Sequence, residues 1–172
     1  MKKFSLWSVL LVLVLFVSAC GAGGSSETGG DGISEDGILT IGETGLYATK
    51  GGDFEVTINS VKKEAGGDGE TALRGTYVVA NVTITSRASE TTNLEKVLPF
   101  KIFVDDIVNW NTVTAGKEFS FGKQIAGEIA GGDSITGELI FDARESETYK
   151  ILLGGKAEPN KLEWSLASED FQ

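Results

Sequence analysis

The stretch YVVANVTIT, residues 77–85, decides how the chain folds. Val78, Ala80, Val82 and Ile84 alternate with Val79, Asn81, Thr83 and Thr85. A period of two puts one set on each face of a β-strand, and β-branched side chains suit that backbone. Working outward, the pattern recurs. Upstream, Phe54, Val56 and Ile58 alternate with Glu55, Thr57 and Asn59. Downstream come the stripes Leu98, Phe100, Ile102 and Val104; Ile135, Leu139 and Phe141; Tyr149, Ile151 and Leu153; and Leu162, Trp164 and Leu166. Residues 38–41 and 119–129 add further strand-like segments, and no long helical period is visible. Turns fall at Gly66-Gly67-Asp68-Gly69, Asp105-Asp106, Gly131-Gly132-Asp133 and Gly154-Gly155. Some seven short strands, each with one apolar face, bury those faces most economically as a two-sheet all-β sandwich. A lipocalin-like barrel is the structural alternative. The single Cys rules out the Cys…Trp…Cys spacing of antibody domains.

Composition narrows the chemistry. The 172 residues include no His and a formal net charge of −10. Without His there is no Ser-His-Asp triad, no Cys-His pair and no His-ligated zinc or haem. The acidic balance repels nucleic acid and anionic lipid headgroups, so no nucleic-acid partner is expected. No cofactor is expected either, and no motif places a Ser-Lys dyad. The glycine clusters lead into strands and lack the lysine of a phosphate-binding loop.

The first residues have a different character. Met1-Lys2-Lys3 is cationic, and Phe4 to Val17 is an almost unbroken apolar run. That run is short for a membrane span and suits the core of a signal peptide. Val17-Ser18-Ala19-Cys20 follows and is similar to the lipobox of bacterial lipoproteins. The resemblance implies cleavage after Ala19 and a diacylglyceryl group, then palmitate-type acylation, on Cys20. Two or more acyl chains anchor a protein stably where one is marginal. Gly21 to Gly37 is rich in Gly, Ser and acids and is expected to be a flexible tether. Its Asp31, Glu35 and Asp36 lack the full ligand pattern of a calcium loop. The expected organisation is thus a signal peptide over 1–19, a lipidated Cys and linker over 20–37, and one domain over 38–172.

The order of the pieces within that domain resembles a known family. Ile41-Gly42-Glu43-Thr44 precedes the stretch from Phe54 to Val61, then the one from Tyr77 to Thr85, then Phe100 to Asp106. Last comes GGDSITGELIFD, residues 131–142, the most specific part. Together, over about residues 41–153, these resemble the telokin-like, immunoglobulin-fold domain of unknown function found in bacterial surface lipoproteins. Ala130 and Ala143-Arg144 stand where that family has prolines. The resemblance implies an immunoglobulin-like β-sandwich that binds or adheres outside the cytoplasm, and it carries no catalytic residues over.

Three groups are candidate sites. Asp105 and Asp106 at a hairpin tip are candidates for a cation site if other loops, such as those of Asp133 and Asp142, add oxygens; the alternative is ordinary turn chemistry. Trp110, Phe119 and Phe121 are candidates for an exposed recognition patch; the alternative is packing. Asn81-Val82-Thr83 matches a glycosylation sequon and reads as chance in mid-strand. The functional expectation is a non-enzymatic binding module on the outer face of the cell membrane, with an envelope protein or wall polymer as partner. The alternative is a carrier or sensor of a small ligand or divalent cation.

Overall fold

The structure, a computed structural model, describes residues 33–34, 38–105, 107–109, 117–157 and 159–172. The signal peptide, Val17, Ser18, Ala19, Cys20, most of the linker, Asp106 and Trp110 lie outside the described residues. In chain order the strands are β1 (Ile33–Ser34), β2 (Ile38–Leu39), β3 (Thr44–Thr49), β4 (Gly52–Glu64), β5 (Thr76–Ser86) and β6 (Thr92–Asn93). A single helical turn, α1 (Leu94–Val97), precedes β7 (Phe100–Val104) and β8 (Ile107–Asn109). Then come β9 (Glu118–Phe119), β10 (Gly122–Lys123), β11 (Glu128–Ile129), β12 (Ser134–Ala143), β13 (Tyr149–Leu153) and β14 (Leu162–Leu166). A 3-10 turn over Ser168–Asp170 follows.

The larger strands form two five-stranded sheets, ordered β1-β3-β4-β5-β12 and β2-β14-β13-β7-β8. The chain runs β4 and β5 in one sheet, crosses to β7 and β8, returns to β12, and crosses again to β13 and β14. This is the immunoglobulin Greek key: β4, β5 and β12 occupy the A, B and E places, and β14-β13-β7-β8 the G-F-C-C′ order. The β3 hairpin arm sits beyond the A place.

The inward faces match the sequence stripes. Phe54, Val56 and Ile58 of β4, Val78, Ala80, Val82 and Ile84 of β5, and Leu139 and Phe141 of β12 meet Ile102, Ile151 and Trp164 of the other sheet in one buried core. Each aliphatic or aromatic side chain fully buried there contributes about 1.5–3 kcal/mol relative to exposure. The Trp164 indole Nε1 is buried without a partner.

Three departures from simple alternation have local causes. First, β4 and β5 shift register between Ile58 and Ser60, so Asn59 is an extra residue. This bulge lets Val61 face the core although it is three residues after Ile58. Second, the sequence stripe begins at Leu98, but the strand begins at Phe100. Asn93 caps α1 by accepting from the Lys96 amide at 3.2 Å, and Leu98, restricted by the following Pro99, ends the turn. Third, β3 is a strand that alternation misses, since its inward positions are Gly45 and Tyr47. A Cβ on Gly45 would lie 2.7 Å from the Leu162 and Leu39 methyls, so a side chain there would push those leucines aside.

Candidate functional site

The exposed face of the first sheet is divided in two. At one end Tyr77 and Val79 of β5 and Ile140 of β12 point outward yet are buried. They are covered by the β9–β10 hairpin, through Phe119 and Phe121. The three rings lie 5.1–5.7 Å apart between centroids. The hairpin is fastened down by polar contacts. The Ser120 amide and hydroxyl both donate to Glu70 Oε2 at 3.0 Å, and Lys62 Nζ donates to the Phe121 carbonyl at 3.2 Å. Lys117 Nζ lies 4.2 Å from the Phe119 ring centre. Phe119 is therefore buried and Phe121 half-buried, a second small core on the outside of the sheet. For Phe119 the packing alternative describes what the side chain touches. Tyr77 donates its hydroxyl to the Thr71 carbonyl at 3.1 Å. Burial, and after it the negative charges of Asp142 and Glu70, push its pKa above the ordinary tyrosine value.

The other end of the same face is polar. Thr44 and Thr57 share a hydrogen bond of 2.7 Å, Thr83 and Thr136 one of 2.9 Å, and Thr85 and Ser134 one of 2.5 Å. Asn59 Nδ2 donates to Asn81 Oδ1 at 2.8 Å and to Thr83 Oγ1 at 3.0 Å. The sequon residues thus belong to a side-chain ladder across four strands. Such cross-strand pairs hold the hydroxyls and amides in fixed places on the exposed sheet face.

The carboxylates do not gather. Asp105 is exposed, with a positive φ of 51°, and accepts from Ser146 Oγ at 3.4 Å. Asp142 is buried, and its two oxygens accept from the Leu73 and Arg74 amides at 3.0 Å each. It anchors the loop before β5. Asp133 sits at its own turn and is exposed. Among the described residues no three Asp, Glu, His or Cys side chains could share a metal ion.

A cavity of about 140 Å³ opens between the sheets, beside α1. Its walls are Ile84, Leu94, Leu98, Phe100, Ile125 and Leu139, with Glu95 and Pro99 exposed at the mouth. The polar residue of the lining that is buried is Gln124, 3 % exposed. Its backbone is held by the amide donating to the Lys117 carbonyl at 3.1 Å, and its side-chain Oε1 is buried with no hydrogen-bond partner. The sequence reading does not single out Gln124, because one Gln among Phe119, Phe121 and Ile125 carries no periodic signal.

These features define an immunoglobulin-like β-sandwich with a polar sheet face and an end cavity. The family described as a domain of unknown function, DUF4352, matches residues 47–158, and the chain belongs to that family. Among solved structures, the chain is similar to ycdA of Bacillus subtilis, a candidate lipoprotein, with a TM-score of 0.54 and 14% identity over 74% of this chain. It spans 39% of the length of that protein. It is equally similar to MPT63, a secreted protein of Mycobacterium tuberculosis, with a TM-score of 0.54 and 14% identity over 76% of this chain and 95% of that one. At that identity the likeness concerns the fold. No curated protein matches the chain by sequence.

Proposed function

We propose that the protein is an extracytoplasmic lipoprotein, held on the outer face of the cell membrane through acylated Cys20, whose sandwich domain binds an envelope protein or wall polymer and does no chemistry of its own. The observation that carries this reading is the Val17-Ser18-Ala19-Cys20 motif behind a cationic start and an apolar run, placed ahead of a domain that the family match defines. The candidate-lipoprotein and secreted descriptions of the two structural relatives support it. The linker ahead of β1 serves as the tether, shorter than the expected 21–37 because Ile33 and Ser34 already pair with β3, and the polar ladder of the first sheet serves as the contact surface. Its fixed donors and acceptors suit a hydroxyl-rich or peptide surface better than an apolar one.

A palmitate analogue fed to producing cells should label the wild-type chain, and Cys20→Ala should carry no label and leave the membrane fraction unless its leader is retained. Labelling of the Cys20→Ala chain would overturn the anchor. Cross-linking in intact cells should yield a discrete adduct with an envelope component, weakened by Thr83→Lys. The absence of any adduct across growth conditions would overturn the binding role. A second reading, a carrier of a small ligand, is favoured by the cavity beside α1.

A further inference from the structure

We infer that a row of four threonines on the outer face of the first sheet binds a neutral β-1,4-linked glycan, laid across the strands with one sugar over each. The inference rests on the contact surface proposed for that face and names the class of its ligand. The first observation is register. Thr44 stands opposite Thr57, Thr57 opposite Thr83, and Thr83 opposite Thr136, one from each of β3, β4, β5 and β12. Neighbouring strands lie about 4.8 Å apart, so the row offers a hydroxyl at each such step. A β-1,4-linked pyranose polymer advances by close to that step per sugar. Sheet twist turns the strands about the line that crosses them, so the row stays near that line. The hydroxyls are joined two by two, Thr44 with Thr57 and Thr83 with Thr136, so the protein repeats at every second strand. Successive sugars of such a polymer are flipped, so it too repeats at every second unit.

The second observation is the kind of polar group on offer. Each joined pair keeps one O–H proton inside the pair and has the other to donate outward, with lone pairs left to accept. Asn59 gives both amide protons to the protein, to Asn81 Oδ1 and Thr83 Oγ1. Its own Oδ1 remains an acceptor, and the Asn81 amide remains a donor. Sugar hydroxyls both donate and accept, and they meet both kinds of group here. A peptide on this face would bring main-chain N–H and C=O groups that the strands, already paired within the sheet, cannot serve.

The third observation is shape and charge. The β9–β10 hairpin covers Val79 and Ile140. It is held by Lys62 on β4 and by Glu138 on β12, which accepts from the Lys123 amide at 2.9 Å. It therefore crosses three strands, as the threonine row does, and the row of Ser60, Asn81 and Glu138 lies between the two. A polymer on the threonines runs along the foot of this ledge. On the other side Glu55 is paired with Arg87. The net charge of −10 opposes an anionic polymer and leaves a neutral one unaffected. The residues of these rows carry no aromatic ring to stack on a sugar, so one site binds weakly, and many copies on one polymer would supply the avidity.

Saturation-transfer NMR on the full-length chain in lipid vesicles tests this, against vesicles alone. The probes are cellotetraose and maltotetraose, the same sugar joined β-1,4 and α-1,4, and cellobiose. Cellotetraose should bind about tenfold more tightly than either of the others. Thr83→Val removes one hydroxyl from the middle of the row and keeps a β-branched side chain. It should weaken cellotetraose binding by about threefold to tenfold at an unchanged melting temperature, and Thr136→Val repeats the test on the edge strand. Ser165→Val, on the exposed face of the other sheet, should bind as the wild type does. Equal affinity for the two tetrasaccharides, or full binding by both threonine variants, would overturn the inference. So would the absence of any protein-dependent signal from cellotetraose; an adduct in cells still weakened by Thr83→Lys would then keep the face as a contact surface for a protein.

Discussion

Gly52 opens β4 with a φ of +123°, where a side chain is strained whatever the space, and here there is also no space. A Cβ would lie 2.5 Å from the Ala88 Cβ and 2.7 Å from its Cα. Gly52→Ala is expected to destabilise the domain by about 1–3 kcal/mol, read as a lower denaturation midpoint with an unchanged slope. Tyr77 makes a different kind of statement, about pH. Its phenol is raised by burial and then by Asp142 and Glu70, so the folded state keeps the proton longer than the unfolded one. Above the ordinary value of 10.0 the unfolded chain binds fewer protons, and stability falls as pH rises. Lys63 acts in the same direction. Burial, the largest influence, opposes its charge, but the hydrogen bond to Glu145 and the charges of Tyr149 and Glu145 outweigh that and raise it above 10.5. Both contributions are intact at neutral pH and are lost on the alkaline side. Tyr77→Phe should therefore shrink the fall in melting temperature between about pH 9 and about pH 11, while costing about 1 kcal/mol at pH 7 for the lost bond to Thr71. An unchanged alkaline slope would show that Tyr77 ionises as freely when folded as when unfolded.

At the scale of the element, Asn59 is the test. It is the residue by which β4 exceeds β5, so deleting it leaves Ile58 and Val61 opposite Val82 and Ala80, where they already are. Deleting Thr57 instead moves the neighbouring residues to the opposite face. Loss of Asn59 should cost about 1–2 kcal/mol, through its bonds to Asn81 and Thr83, whereas loss of Thr57 should abolish the cooperative melt. Circular dichroism on the two deletions separates them. The same logic explains what could be read from the sequence. Strands β5, β13 and β14 are legible because apolar residues, mostly large, recur at every second place, and β12 because Leu139 and Phe141 follow Ile135 in the same phase. Strand β3 is not, because Gly45, packed against Leu39 and Leu162, stands where the pattern requires an aliphatic. The hairpin of Phe119 and Phe121 is legible as apolar but not as packed. Its cover over Tyr77, Val79 and Ile140 depends on Glu70 and Lys62, far away in sequence. Gln124 is silent for the same reason: its significance lies in what it fails to touch.

At the scale of the molecule, charge and topology govern behaviour. With a sequence isoelectric point near 4.5, the protein repels its own copies at neutral pH. Light scattering should show association rising as pH falls toward that value, reversed by returning to neutral; association insensitive to pH would mean that surface charge does not control it. The crossing of β5 to β7 and of β12 to β13 places residues 84, 100 and 139 around one cavity, although no local stretch contains them.

The first described residues of the domain bear on the proposed life on a membrane surface. Ile33 and Ser34 pair in parallel with β3, the border of one sheet, and Ile38 and Leu39 pair in parallel with β14, the border of the other. Two short pairings thus cover Thr44 and Gly45 on one border and Glu163 and Trp164 on the other. Proteins confined to a membrane plane meet each other far more often than the same number in free solution, and bare strand borders are where they would zip together. In the anchored protein proposed above, the segment that leads toward Cys20 also guards part of each border against the crowding that anchorage would create.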